Sequence, residues 1–430
     1  MSEESQFDAI IVGAGLAGLA AAYTMAGEGL EVLVLERGDY PGAKNVTGGR
    51  IYVNPIRDLF PDLWAKAPLE RGIAHEEVCI MDKERSLTVR YDGSELAIEP
   101  YQSYSVLRGK FDKWFAKQAE RKGAMMVNKS RVDDLIIENG KVKGVIAGGE
   151  ELRANVVIAC DGVLSFVAQK AGLRQPALSK NYAVGFKEII ELDSQTIDNR
   201  FNLGGNEGAA RLFMGDVTAG KFGGGFLYTN KESISLGIVV GIDALTEDKL
   251  IKAPELLDTF KQRPEIARLI AGGQTVEYAA HVIPEGGLKV MGKLYGDGIL
   301  VAGDAAGLSM NIGVTVRGME YAMASGYYAA QTVLQAKGKN DYSKATLSIY
   351  EKLLNYSFVL QDFQSFKESL DVLEYPPLFN YVPELAGNVM RDLYGVSAGP
   401  KNKIYPTIKN YLSLSELWKL AKIAKRMMKI

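Results

Sequence analysis

The chain has 430 residues, of which 47% are hydrophobic and 24% charged, enough to fill the cores of two globular lobes and too apolar for a disordered chain. Its formal net charge of −2 supplies no overall positive field for DNA or RNA. Cys79 and Cys160 are its two cysteines, so neither a disulfide framework nor a four-cysteine iron–sulfur site can come from this chain alone.

The opening segment, MSEESQFDAIIVG, is acidic where a signal peptide is basic, and no later stretch is long and apolar enough to span a bilayer; a cytoplasmic protein is expected. FDAIIVG predicts a buried parallel strand, GAGLAGLAAAYTMAGEG a turn and an Ala-rich helix, and LEVLVLER the next parallel strand. Together they make a Rossmann-type βαβ half. VVIACDG (156–162) and GILVAGDAAG (298–307) repeat the pattern of an apolar strand ending in Gly or Asp. Between them, the stretch 182–243 alternates short β-prone runs with Gly-rich turns, which predicts a second, largely antiparallel sheet carrying the substrate site. Residues 318–335 are strongly helical, and 350–430 is aromatic-rich with a Pro-interrupted centre.

Gly13, Gly15 and Gly18 form GxGxxG between strand and helix. The first permits the tight turn, the second lets backbone approach a pyrophosphate, and the third packs helix on sheet. Ala14, Leu16 and Ala17 fill the intervening positions, and the helix N-terminus turns free N–H groups toward the phosphates. Glu36, about 20 residues further on and followed by Arg37, is placed to accept the ribose hydroxyls. Asp304 adds a carboxylate at another strand end. A flexible polyhydroxyl chain such as ribityl would satisfy that buried acid, and NAD has none, so the expected cofactor is FAD. The competing reading of Asp304 is a helix cap.

Arg108, at a helix start, is within reach of the phosphates or the ribityl chain, whereas Phe111 and Trp114 are core. Thr47, Gly48, Gly49 and Arg50 form a Gly-rich loop that can approach the isoalloxazine ring, although Arg50 fits a solvated loop arginine equally well. Asp161 and Gly162 either contact the cofactor or only turn the chain. Val132, Gly313 and Val314 complete the expected cofactor contacts. His75 and His281, the two histidines, lie in no motif and are read as structural. No Ser/His/Asp triad or metal-ligand cluster is visible, so hydrolysis and metal catalysis fall away and no catalytic side chain is assigned; the redox chemistry belongs to the flavin.

The three nucleotide-domain pieces resemble the flavoprotein group containing aromatic hydroxylases, geranylgeranyl reductases and electron-transfer-flavoprotein:quinone oxidoreductases. The strings KNVTGGRIYVNPIRDLFPDLWAKAPL, GFKEIIELD, FGGGFLYTNKESISLGIVVGID, GGQTVEYAAHVIPEGG and the run from GDAAG to VRGMEYAMASG are similar to the last branch, specifically its FixC/EtfC-type flavoprotein subunits. The resemblance runs from the N-terminus to about Leu370. It implies one FAD, electrons received from a two-subunit electron-transfer flavoprotein, and delivery to a membrane quinone within an electron-bifurcating complex that also holds a ferredoxin-like iron–sulfur subunit. It places the quinone head group beside Gly223 and Gly224, with Phe222 where single-chain relatives carry tyrosine. Read without the resemblance, these glycines make a hairpin or bulge.

Two other functions stay open: an FAD-dependent lipid or prenyl reductase of the geranylgeranyl type, and a flavin-containing docking subunit without quinone turnover. The first lacks its usual Trp and Phe-Pro string, since the corresponding stretch reads GGGFLYTN. The expected division is a discontinuous FAD-binding domain of 1–60, 101–180 and 272–345, a quinone domain of 61–100 and 181–271, and a helical region of 346–430 with an amphipathic tail of 412–430. In that tail Leu417, Leu420, Ala421, Ala424, Met427 and Met428 recur at helical spacing, with Lys419, Lys422, Arg426 and Lys429 on another face. Such a helix suits either the inner face of the cell membrane or a partner subunit.

Overall fold

The apolar run Phe7–Val12 is the central strand of the first sheet, and Ala9, Ile10 and Ile11 are sealed from solvent on both faces. The computed structural model describes residues 6–44, 49–176, 178–247 and 252–430. Across the first sheet the order is Tyr295–Gly296, Ile299–Val301, Glu150–Ala159, Phe7–Val12, Val32–Leu35 and Met125–Val127. Every pairing from Ile299–Val301 to Met125–Val127 is parallel. Burying each such aliphatic side chain stabilises the fold by roughly 1.5–3 kcal/mol before entropy is set against it. The Ala-rich helix Leu16–Gly27 lies against the long helix Met319–Lys339. Small residues allow the close approach: a Cβ on Gly326 would fall 2.0 Å from the Ala17 carbonyl oxygen.

The second sheet runs Gln274–Pro284, Tyr182–Glu191, Ser233–Gly241, Gly223–Thr229, Glu207–Gly215, Gly72–Met81, Ser103–Ser105 and Arg50–Tyr52, with Ser86–Asp92 beside Gly72–Met81. It is antiparallel except where Glu207–Gly215 runs parallel to Gly72–Met81. Alternation along Ser233–Gly241 decides its two faces. Ile234, Leu236, Ile238 and Val240 point into a core completed by Leu257, Phe260 and Ile266 of the covering helices. Val239 faces the other way, toward the first sheet.

Strand pairing redraws the expected division. Arg50–Tyr52, Ser103–Ser105 and Gln274–Pro284 belong to the second sheet, although their sequence neighbours serve the first. Motifs locate strand ends, but partnership between strands some 90 residues apart, such as Tyr182–Glu191 with Gln274–Pro284, is a tertiary choice. The Phe222 to Gly225 stretch is also no hairpin. Gly223 opens an interior strand, paired through Gly223–Val240 and Gly224–Val239.

Beyond Ile349 the chain is helical, ending in Leu414–Met427. That last helix packs through Ile423, which lies with Val372, Leu378 and Phe379. Most of its expected apolar stripe is not what docks it: Leu417, Ala421, Ala424, Met427 and Met428 remain exposed. Among the described residues no helix is long and apolar enough to cross a membrane.

Candidate functional site

The carboxyl ends of four adjacent parallel strands meet in one place: Phe7–Val12 leads into Gly13, Val32–Leu35 into Glu36, Glu150–Ala159 into Asp161, and Ile299–Val301 into Asp304. This edge is where doubly wound sheets present ligand sites. Gly13 has φ +101°, and a Cβ there would stand 2.3 Å from the Cys160 carbonyl oxygen. Only glycine satisfies both conditions. Gly13→Ala is therefore expected to destabilise the fold by roughly 2–4 kcal/mol, read as a lower midpoint in chemical denaturation.

Gly15, Leu16 and Ala17 line the cavity at the start of helix Leu16–Gly27. Gly18 sits behind them, where a Cβ would lie 2.0 Å from the Gly13 carbonyl oxygen, so its role is helix-to-turn packing. Ala14 is buried and donates its N–H to Glu36 Oε2 at 2.9 Å. The other Glu36 oxygen, Oε1, accepts the Gly38 N–H at 2.6 Å. Two backbone donors thus hold the carboxylate at the cavity wall, next to exposed Arg37.

Asp304 does not cap a helix. It lies in the short turn Gly303–Ala306, and the next helix begins only at Met319. The backbone N–H of Gly303 donates to Ser325 Oγ at 3.0 Å, holding the turn. No described residue hydrogen-bonds the Asp304 carboxyl. Burial raises its pKa, opposed by His281, Arg108 and Arg174. Asp304 is half-buried; a partly desolvated acid without a hydrogen-bond donor is costly, and ligand hydroxyls donating into it would remove that cost. The residues present therefore fit the ribityl-bearing cofactor that the motif implies. Asp161 is anchored differently: its Oδ2 accepts the Val167 N–H at 3.0 Å, and burial raises its pKa. Asp161, Gly162 and Val132, at the start of Val132–Glu138, also line the cavity, as do Gly313 and exposed Val314 on the far side.

Arg108 begins helix Arg108–Arg121 and lines the cavity, with its guanidinium forked onto Asp112 through two bonds of 2.7 Å. Arg50 is no solvated loop residue. It starts a strand, is 7% exposed, pairs with Glu76, bonds Ser103 Oγ and stacks over Tyr52. The reason is register: Arg50 pairs with Ser105 across the sheet, which turns its side chain inward. At Gly49 a Cβ would meet the Tyr228 ring at 2.5 Å, so glycine admits that aromatic side chain to the cavity wall. Thr47 and Gly48 lie outside the described residues.

These walls enclose one cavity of about 800 Å³, and Phe222, Gly223 and Gly224 line it together with the nucleotide-end residues. The ladder from Gly223–Thr229 to Glu207–Gly215 ends at the pair Gly225–Phe213, leaving Gly223 and Gly224 beyond it. Phe222 lies edge-on to Phe379, with ring centres 6.1 Å apart, and ties the strand to the C-terminal helices.

Sequence reasoning missed His281, Tyr228 and Glu285. His281, Ile283 and Glu285 all line the cavity, occupying alternate positions of one extended stretch. That period-two pattern in EYAAHVIPE was visible, and it puts His281 on the cavity wall. Burial lowers the His281 pKa, opposed by Asp304.

Residues 6–200 match the family model described as FAD binding domain, and residues 182–283 the one described as ETF-QO, ubiquinone-binding. The chain is 48% identical to Protein FixC of Salmonella typhimurium over 92% of each sequence. The chain belongs to the FixC/electron-transfer-flavoprotein:quinone oxidoreductase family. A second relative in that family, the probable electron transfer flavoprotein-quinone oxidoreductase YdiS of Escherichia coli, is 42% identical over 93% of each chain. As a family member the chain is an FAD-dependent oxidoreductase of mixed α/β fold, and its cofactor is FAD. Among solved structures, a geranylgeranyl bacteriochlorophyll reductase-like protein from Thermoplasma acidophilum shares the fold, with TM-score 0.72, 20% identity, and coverage of 97% of this chain and 99% of that one.

Proposed function

We propose that this chain takes electrons from an electron-transfer flavoprotein and passes them to a membrane quinone held against the strand beginning at Gly223. One observation carries the reading: a single cavity joins the nucleotide-end acids Glu36 and Asp304 to Phe222, Gly223 and Gly224, the stretch that falls within the ubiquinone-binding family match. Bound FAD supplies one- and two-electron transfer. The chain's own residues do the rest. Glu36 and the turn at Gly13 and Gly15 hold the adenosine end, Asp304 and Arg108 the middle, and Arg50, Gly49 and Tyr228 shape the wall beside the ring. Gly223 and Gly224, lying past the end of one ladder, offer backbone and no side-chain bulk to a flat head group. Dithionite-reduced protein is expected to be reoxidised by a quinone analogue within one turnover, followed by flavin absorbance; no reoxidation would leave the docking-subunit role.

The same reading includes a two-subunit electron-transfer flavoprotein, a ferredoxin-like iron–sulfur subunit and electron bifurcation, tested by co-purification from the native source. It also includes contact with the inner face of the cell membrane. Leu414, Leu417, Trp418 and Met428 stand exposed on the terminal helix beside Lys419, Lys422 and Lys425, a composition that suits an anionic bilayer surface. Full-length protein is expected to float with anionic liposomes while a truncation after Tyr411 stays in the soluble fraction. Equal flotation would remove the membrane role.

A further inference from the structure

We propose that Glu285 is a proton-transfer residue, carrying protons from the protein surface into the cavity where the quinone is reduced. The proposal rests on the electron-transfer reading above. Reducing a quinone to a quinol adds two electrons, supplied by reduced FAD, and two protons, one to each oxygen. The cavity is walled by two sheets, bordered by Leu373, Leu378 and Phe379 of the C-terminal region, and open to solvent beside Phe166 and Val314. Glu285 places a buried titrating group on its wall.

Glu285 directly follows strand Gln274–Pro284, and its backbone N–H is fixed on the Asn181 carbonyl oxygen at 2.9 Å. The side chain is buried, at 9% exposure, and faces the large cavity. It also lines a second, small cavity of about 20 Å³, room for roughly one water. Four residues border both spaces: Glu285, Ser309, Asn311 and Leu373. Of these, Glu285 alone carries a group that titrates. Ser309 is committed, its hydroxyl donating to the Pro284 carbonyl at 2.6 Å. The small cavity reaches exposed Lys367 at its rim. No hydrogen bond from a described residue occupies the Glu285 carboxyl, so it is free to take a proton from water on one side and release it on the other.

The electrostatic setting suits that task. Burial, and then the carboxylate of Glu374, push the Glu285 pKa up to about 7. Glu374 itself lies among Asp371, Lys289, Lys180 and Asp243. A carboxyl poised near the working pH both gives and regains a proton readily. In the step, the Glu285 O–H bond breaks, its proton passes through cavity water to one quinone oxygen, the carboxylate regains a proton through the small cavity, and a second such passage protonates the other oxygen.

The test compares wild type with Glu285→Gln, both purified with FAD. Infrared titration between pH about 5 and about 9 should show, in the wild type without quinone, a protonated carboxyl band that disappears near the raised pKa and is absent from the variant. Stability gives the same information with a definite sign. A raised carboxyl pKa stabilises the fold below the unfolded value and loses that contribution as pH rises through about 7. The wild-type melting temperature should therefore fall, relative to the variant's, across that window. In single turnover the variant's flavin should be reduced normally by dithionite, while its quinone reduction slows about tenfold and loses its pH dependence near neutrality. Identical infrared bands in the two proteins, or equal quinone rates beside a competent wild type, would overturn the proposal. A wild type that does not reduce quinone overturns the electron-transfer reading, and the role of Glu285 with it.

Discussion

Glu36→Arg is expected to give folded protein that retains no FAD. In the native chain both Glu36 oxygens accept backbone N–H groups, from Ala14 and from Gly38, at 2.9 and 2.6 Å. These bonds hold the carboxylate at the end of Val32–Leu35, facing the cavity, where ribose hydroxyls would donate to it. Arginine has no acceptor. It leaves the Ala14 and Gly38 donors unpaired, places a second cation beside Arg37, and fills the ribose volume. Losing two charge-assisted hydrogen bonds to the sugar costs about 3–6 kcal/mol, or about two to four decades of affinity. The measurement is flavin absorbance per chain after purification, with circular dichroism to establish folding. Full flavin content in a folded variant would remove Glu36 from the adenosine site.

The second large effect is expected at Val239. The glycines opposite it are poor places to test the quinone site: a Cβ at Gly224 would lie 2.6 Å from the Phe213 carbonyl oxygen, and one at Gly223 would lie 2.1 Å from that of Val239. Substituting either forces the sheet itself to move. Val239 pairs with Gly224 and turns its side chain into the cavity, so Val239→Trp adds bulk beside the glycines while keeping a residue that favours strands. We expect quinone reduction in single turnover to fall about 100-fold, a loss of roughly 2.8 kcal/mol, with FAD content and reduction by the partner flavoprotein unchanged. An unaltered quinone rate would place the head group elsewhere in the cavity.

Local signals carried the nucleotide half of the site. An apolar strand, a glycine turn and an Ala-rich helix are neighbours in sequence, so GxGxxG and Glu36 could be assigned from spacing, and the strand ends at Asp161 and Asp304 from the same pattern. Spacing decided less where a residue's environment comes from distant chain. Arg50 stayed open between a ring-side residue and a solvated loop arginine because its neighbours are glycines; Ser103, Glu76 and Tyr52 make it a buried ion-paired residue. His281 looked structural because no motif surrounds it, yet its register on strand Gln274–Pro284 turns it toward Asp304 and Arg108. The terminal helix was legible as a helix. Its docking through Ile423 was not, since that depends on Val372, Leu378 and Phe379 being brought beneath it.

By itself, then, the sequence determined the Rossmann-type half and the existence of a second sheet, because each rests on periodicity or spacing within some tens of residues. Tertiary structure decided that the two sheets share one cavity, that the glycine run is an interior strand, and that Glu285 stands between that cavity and a water-sized space near the surface. Those facts depend on pairings such as Gly224 with Val239 and Gly185 with His281. Strand register is selected by burial of the whole alternating face at once, and no local stretch encodes it alone.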